Sequence, residues 1–192
     1  MTCIFLNYWI LSFFMTNTAN TNESPSNILC KSCGLCCSGH LFAWVRLNAS
    51  ELDSAQSLGL NVIRNDPRQR GFTQPCPLWD GICTVYTSPD YPRTCKTYEC
   101  IVLRRLLDED IALPEALSTI QETLGLIREI EPLLPASSAL SFRERLITHK
   151  EFLESKGTEQ EVVEYEFLHK AEVLLTYYED RFGVDDFIDY EK

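Results

Sequence analysis

Four cysteines fall within eight residues of this chain, Cys30-Lys31-Ser32-Cys33-Gly34-Leu35-Cys36-Cys37, at the spacing C-x2-C-x2-C-C. Cys76, Cys83, Cys95 and Cys100 follow, so eight of the nine cysteines lie between positions 30 and 100. Thiolates spaced this way on a tight turn can hold one metal ion while backbone N–H groups of the turn point at the sulfurs. Two such hooks overlap here and share Cys33. A C-x2-C-x2-C run supplies three ligands to a 4Fe–4S cluster in bacterial ferredoxin sequences, with a distant Cys-Pro completing a cluster. Cys76-Pro77 fits that fourth place. Zinc fits as well, because eight thiolates make two four-thiolate sites. Neighbouring side chains diverge, so Cys36 and Cys37 suit two ions, or one polynuclear centre, better than a single zinc.

Other uses of the thiols are weaker. Small secreted domains also carry an even count of clustered cysteines, joined as disulfides, but that requires an oxidising compartment. A thioredoxin-like redox pair needs a strand before the motif and a helix after it, and the polar stretch upstream supplies no strand. His40, three residues after Cys37, is a candidate substitute ligand, although a loop histidine without a metal is the commoner case. His149 and His169 fall in expected helices with no cysteine nearby and read as surface or interface residues. No phosphate-cradling glycine loop, nucleophile motif or H-E-x-x-H is present, and no catalytic residue is assigned.

The elements that must position these thiols differ sharply along the chain. Net charge is −11, and it is uneven: residues 1–100 carry seven basic and seven acidic side chains, whereas 101–192 carry ten and twenty-one. An acidic half repels phosphate backbones, and the cysteine half lacks a basic run, so nucleic acid is not an expected partner. Residues 4–14 are apolar but too short to span a bilayer, and no Lys or Arg precedes them. They read as a dispensable leader before Met15, with a degenerate signal peptide or a packing segment as alternatives; Cys3 is left out of the metal count. Residues 16–27 read as a flexible linker.

Leu41 to Leu47 reads as a strand, and Asn48 to Ser50 as the start of a short helix ending near Gly59. Residues 61–75 read as a loop. Residues 75–86 read as a hairpin turning at Asp80-Gly81, with Cys76 and Cys83 on its two arms. Beyond Ile101 the pattern becomes helical. Leu113, Leu117, Ile120, Leu124 and Ile127 form the apolar stripe of one helix, with Pro114 in its first turn. Ser141-x-x-Glu144 and Thr158-x-x-Glu161 match capping boxes, Gly157 separates the helices that follow, and Gly183 ends the last. Three or four helices are expected, with acidic solvated faces that offer a surface to a protein partner.

The order and spacing of all eight cysteines resemble the YkgJ-type cysteine-cluster family, whose CxxCxxCC domain is described as chelating zinc or iron. The resemblance covers about residues 28–100: Cys30 to Cys37, the Val45-Arg-Leu-Asn-Ala-Ser-Glu stretch, Pro75-Cys76-Pro77-Leu-Trp-Asp-Gly-Ile-Cys83-Thr-Val-Tyr86, and Tyr91-Pro92-Arg-Thr-Cys95-Lys96-Thr-Tyr98-Glu-Cys100. There is one departure. After Tyr86 two extra residues intervene, and Tyr91 stands before Pro92 where the family has arginine, so any role of that arginine toward a sulfur falls to Lys96 or Arg93. Flagellin lysine methylases are similar in their cysteine cluster but longer, and nothing in 101–192 resembles a methyl-donor site.

Together these readings predict an α+β protein of the cytoplasm. Residues 1–27 are leader and linker. Residues 28–100 are a small metal-stapled domain with a short hairpin and helix. Residues 101–192 are an acidic helical region. Cys30, Cys33, Cys36, Cys37, Cys76, Cys83, Cys95 and Cys100 are the expected ligands of zinc or an iron–sulfur cluster, in a structural, carrier or electron-transfer role. A catalytic metal cluster and a secreted disulfide protein are the alternatives. Thiols must lose protons to bind, so metal binding and folding of residues 30–100 are coupled.

Overall fold

The computed structural model describes residues 23–137, 141–157 and 161–184. The leader and most of the linker, Thr158 and the acidic tail beyond Val184 lie outside the described residues. The architecture is α+β: seven α-helices and one three-stranded antiparallel sheet among the described residues.

The first helix corrects the sequence reading. α1 spans Pro25–Cys33 and begins inside the stretch read as linker. Ser24 caps it by accepting the N–H of Asn27, and Pro25 occupies its first turn, where a missing N–H costs nothing. Cys30 and Cys33 therefore stand on one face of a helix, three residues apart, not on a tight turn. The helix stops at Gly34 in the left-handed region, φ 70°. The chain then coils tightly. Ser38 N–H donates to the Gly34 carbonyl at 2.8 Å, and the N–H groups of His40 and Leu41 both donate to that of Leu35. That coil carries Cys36 and Cys37.

β1, Trp44–Arg46, lies within the expected strand. Asn48 caps the next turn, with Glu51 reaching back to the Asn48 N–H, and α2 follows over Leu52–Ser57. Residues 61–75 are not the loop that was expected. They contain β2, Val62–Ile63, and β3, Gly71–Thr73, with β3 central in the order β1-β3-β2. Val45 pairs with Phe72, and so does Val62. A Cβ at Gly71 would lie 1.8 Å from the Val45 carbonyl oxygen, so only glycine permits this register. The expected hairpin shrinks to one antiparallel bridge, Trp79 with Cys83, closed by Thr84 N–H on the Leu78 carbonyl. Three residues, 80–82, make its loop rather than two. α3, Arg93–Thr97, carries Cys95 and is tied to β1 by the Thr94 hydroxyl, which donates to the Arg46 carbonyl at 2.8 Å.

Four helices complete the chain: α4 Ile101–Leu107, α5 Leu113–Ile130, α6 Phe142–Ser155 and α7 Val162–Tyr177. The α5 stripe centres on Ala116, Ile120, Thr123, Ile127 and Ile130, with Leu113, Leu117 and Leu124 half-buried beside it. Ser141 caps α6 as its motif predicts. For α7 the box lies one turn later, between Glu161 and Glu164. No helix among the described residues is long and apolar enough to cross a membrane.

Two apolar cores result. The larger joins α4 to α7 with Leu29, Leu35 and Leu41, which come from the cysteine-bearing segment. The smaller holds Leu47, Leu52, Ala55, Leu60 and Phe72 around the sheet and α2.

Candidate metal centre

The eight cysteines arrive from five places: α1, the coil after Gly34, the turn at 76–83, α3, and the head of α4. Each is partly buried, and each is a free thiol. Backbone contacts draw the places together. The Cys76 N–H donates to the Cys37 carbonyl at 2.7 Å, which fixes the turn against the coil. Cys100 is the N-cap of α4, its sulfur accepting the Leu103 N–H at 3.4 Å. The Tyr86 hydroxyl donates to Asn27 Oδ1 at 2.9 Å, which holds the end of the turn segment on α1. The Lys31 ammonium also lies 5.5 Å from the centre of the Tyr86 ring.

Packing divides the thiols. Cys30, Cys33, Cys36 and Cys100 pack against the larger core, and Cys76 and Cys95 against the smaller. Cys30, Cys33, Cys36, Cys37 and Cys100 line a cavity of about 60 Å³ whose remaining wall is mostly apolar. Electrostatics follows the division in part, since Cys37 also raises Cys36 and Cys33 also raises Cys37. Burial pushes the Cys30 thiol up to about 11, and neighbouring Cys100 adds to it. Burial pushes Cys33 up to about 12; a backbone hydrogen bond at Leu35 opposes this, while Cys100 and Cys30 add to it. Cys36 is raised well above the ordinary thiol range by burial, then by Cys33 and Cys100. Cys37 is raised by burial first, then by Cys76, Cys83 and Cys95. Burial and then Cys76 and Cys83 push Cys95 up to about 12.

Cys36 thus lies chiefly among Cys30, Cys33 and Cys100, and Cys37 chiefly beside Cys76, Cys83 and Cys95, while Cys37 also lines the cavity of the first set and is raised by Cys33. The backbone between two adjacent residues separates the groups. Among the described residues, no three His, Cys, Asp or Glu side chains are arranged as ready ligands of one ion. What the residues offer is the donor chemistry: four soft sulfur atoms in each neighbourhood, with backbone donors at Cys33, Cys76 and Cys100, the set that zinc and iron–sulfur clusters take.

His40 does not join either group. Its Nδ1 is hydrogen-bonded to the Ser38 hydroxyl, and its ring meets Phe142 edge-on at 5.0 Å. His149 sits between α6 and α7, edge-on to Phe167 at 4.6 Å. Tyr91, at the position of the family's arginine, packs its ring 5.4 Å from that of Tyr86, and its hydroxyl donates to the Cys95 carbonyl at 3.4 Å. It positions the helix that carries Cys95 through packing.

Sequence reasoning missed the pairing of Gly34 with Trp79. A Cβ at Gly34 would stand 2.1 Å from Trp79 Cζ2, so the indole covers the glycine directly. This contact locks the turn before Cys83 onto the coil that carries Cys36 and Cys37. A glycine between two cysteines and a lone tryptophan give no sign of each other in a linear sequence.

No protein-family model, curated protein or solved structure matches the chain.

Proposed function

We propose that this chain is a cytoplasmic metal-binding protein in which eight thiolates hold zinc or iron–sulfur centres at two sites. Cys30, Cys33, Cys36 and Cys100 form one site, and Cys37, Cys76, Cys83 and Cys95 the other. The observation that carries the reading is the packing of Cys30, Cys33, Cys36 and Cys100 against the larger core and of Cys76 and Cys95 against the smaller. Supporting it, all eight are free thiols, the group that binds zinc or iron–sulfur centres once deprotonated. The CxxCxxCC order, similar to that of the YkgJ-type family, points the same way.

Burial raises the thiols of Cys30, Cys33, Cys36, Cys37, Cys76, Cys95 and Cys100, so metal binding there would release protons. Apparent affinity therefore falls as pH falls. A bound ion would supply a local positive charge that reverses this preference and stabilises the thiolates.

Metal analysis and an ultraviolet–visible spectrum of anaerobically purified protein test the proposal. A broad visible absorption with iron and sulfide identifies iron–sulfur centres; a colourless protein with two equivalents of zinc identifies zinc. Cys36→Ser and Cys37→Ser are each expected to lose one site and keep the other. Mass-spectrometric alkylation should then expose Cys30, Cys33 and Cys100 in the first variant, and Cys76, Cys83 and Cys95 in the second. Protein without stoichiometric metal, or identical exposure patterns, defeats the proposal. An enzymatic reading draws on one further observation, an open pocket of about 560 Å³ beside Cys30 and Cys95.

A further inference from the structure

The pocket beside Cys30 and Cys95 touches both thiol groups at once. Cys30 belongs to the first and Cys95 to the second. The other thiols of the first group are walled off: Cys33, Cys36 and Cys100 face the small cavity closed by Leu29, Val102, Ile120 and Phe182. Cys30, Tyr98 and Leu103 line both spaces and together part that cavity from the open pocket. The pocket's own wall carries the hydroxyls of Ser26, Thr87 and Ser88, with Lys96 its single cationic and Glu99 its single anionic side chain; the Tyr86, Tyr91 and Tyr98 hydroxyls also line it but donate to Asn27 Oδ1 and to the Cys95 and Phe182 carbonyls. Lys96 is exposed and forms no ion pair among the described residues.

A purely structural zinc site is closed on all sides by its ligands and their cover. Here one thiol of each group borders a space large enough for a small polydentate molecule, and the Ser26, Thr87 and Ser88 hydroxyls and the Lys96 ammonium line the approach. Taking the two-site metal reading as its basis, we infer that this pocket is the exchange port for both sites. The ligand it takes is a small chelator with carboxylate or other oxygen donors, which makes the protein a metal carrier. With an ion bound, Cys30 and Cys95 would be the ligands that an oxygen or nitrogen donor of the chelator could replace from the pocket side, the freed thiolate taking a proton from solvent. No electron changes hands, and no further reactant is needed.

The test uses the full chain loaded with zinc and freed of excess metal, mixed by stopped flow with 4-(2-pyridylazo)resorcinol as the chelating probe. Ser88→Trp and Thr87→Trp fill the pocket from its rim without touching a thiol. Glu122→Trp, on the exposed face of α5, is the control. Both pocket variants are expected to hold the wild-type zinc content and to transfer zinc at least about tenfold more slowly, a barrier increase of about 1.4 kcal/mol. The control should match wild type. Pulsed alkylation of the wild-type protein during transfer should label Cys30 and Cys95 ahead of Cys33 and Cys36. Unchanged transfer in a pocket variant of normal zinc content overturns the inference, as does labelling that begins at Cys33 or Cys36. A wild-type chain that takes up no zinc overturns the metal reading itself, and is distinguished by the zinc analysis made before mixing.

Discussion

Gly34 carries two constraints at once. Its φ of 70° is strained for any other residue, and its missing Cβ leaves the space that the Trp79 ring fills. Gly34→Ala is expected to cost about 2–4 kcal/mol, combining the left-handed penalty with overpacking, and to lower zinc content. Combining it with Trp79→Ala should recover the overpacking part but not the backbone part, which a double-mutant cycle in urea unfolding measures. His40 gives a second residue-level prediction. Burial against Phe142 lowers it from 6.5 to about 4, so the folded state prefers the neutral ring. That contribution is whole above about pH 6.5 and is lost as pH falls through about 4, on the order of 3 kcal/mol. Unfolding curves between pH 7 and 4, with chelator present throughout, should show a steeper loss for wild type than for His40→Phe. At this scale the sequence was most legible in its cysteines, whose type and spacing single them out and which the fold brings in from five separate places. It was silent on Gly34 with Trp79, and on Leu35, a fully buried residue of the helical core set between two cysteines. Nothing local marks a contact whose partner is forty-five residues away.

At the level of elements, the helices beyond Ile101 were readable because each carries its own signals: an apolar stripe on α5, a cap at Ser141, glycines after α6 and α7. α1 was hidden by composition. Its first turn, Pro25-Ser26-Asn27, continues a polar stretch, and only the Ser24 cap and packing against α4 and α5 make it a helix. β2 and β3 were hidden by length, at two and three residues, and Gly71 looks like a loop residue until Val45 is placed over it. These short elements rest on five buried residues, whereas α4 to α7 share the larger core. On the two-site reading, removal of metal is therefore expected to loosen β1, β2, β3, α2 and α3 first. Amide exchange before and after chelation should show protection falling across residues 44–97 while α5 and α7 keep theirs. Uniform loss, or none, would count against a metal staple at the smaller core.

Across the whole molecule, the boundary that charge and cysteine content draw near residue 100 is crossed by packing, since Leu29, Leu35 and Leu41 lie in the core of the helices. A linear reading sees the change of composition; it cannot see that the chain returns α1 to α4 and α5 only after the sheet and the cysteine turn have been laid down. The peptide unit between Cys36 and Cys37 has the widest consequence. On the two-site reading, each occupancy restricts the same backbone dihedrals, so the first ion bears most of the ordering entropy and the second binds to a coil already set. Loading is then positively cooperative, and the linkage is reciprocal. In a zinc titration followed by native mass spectrometry, the singly loaded species should stay scarcer than independent sites allow. A statistical distribution of zero, one and two ions would mean that the shared peptide transmits nothing.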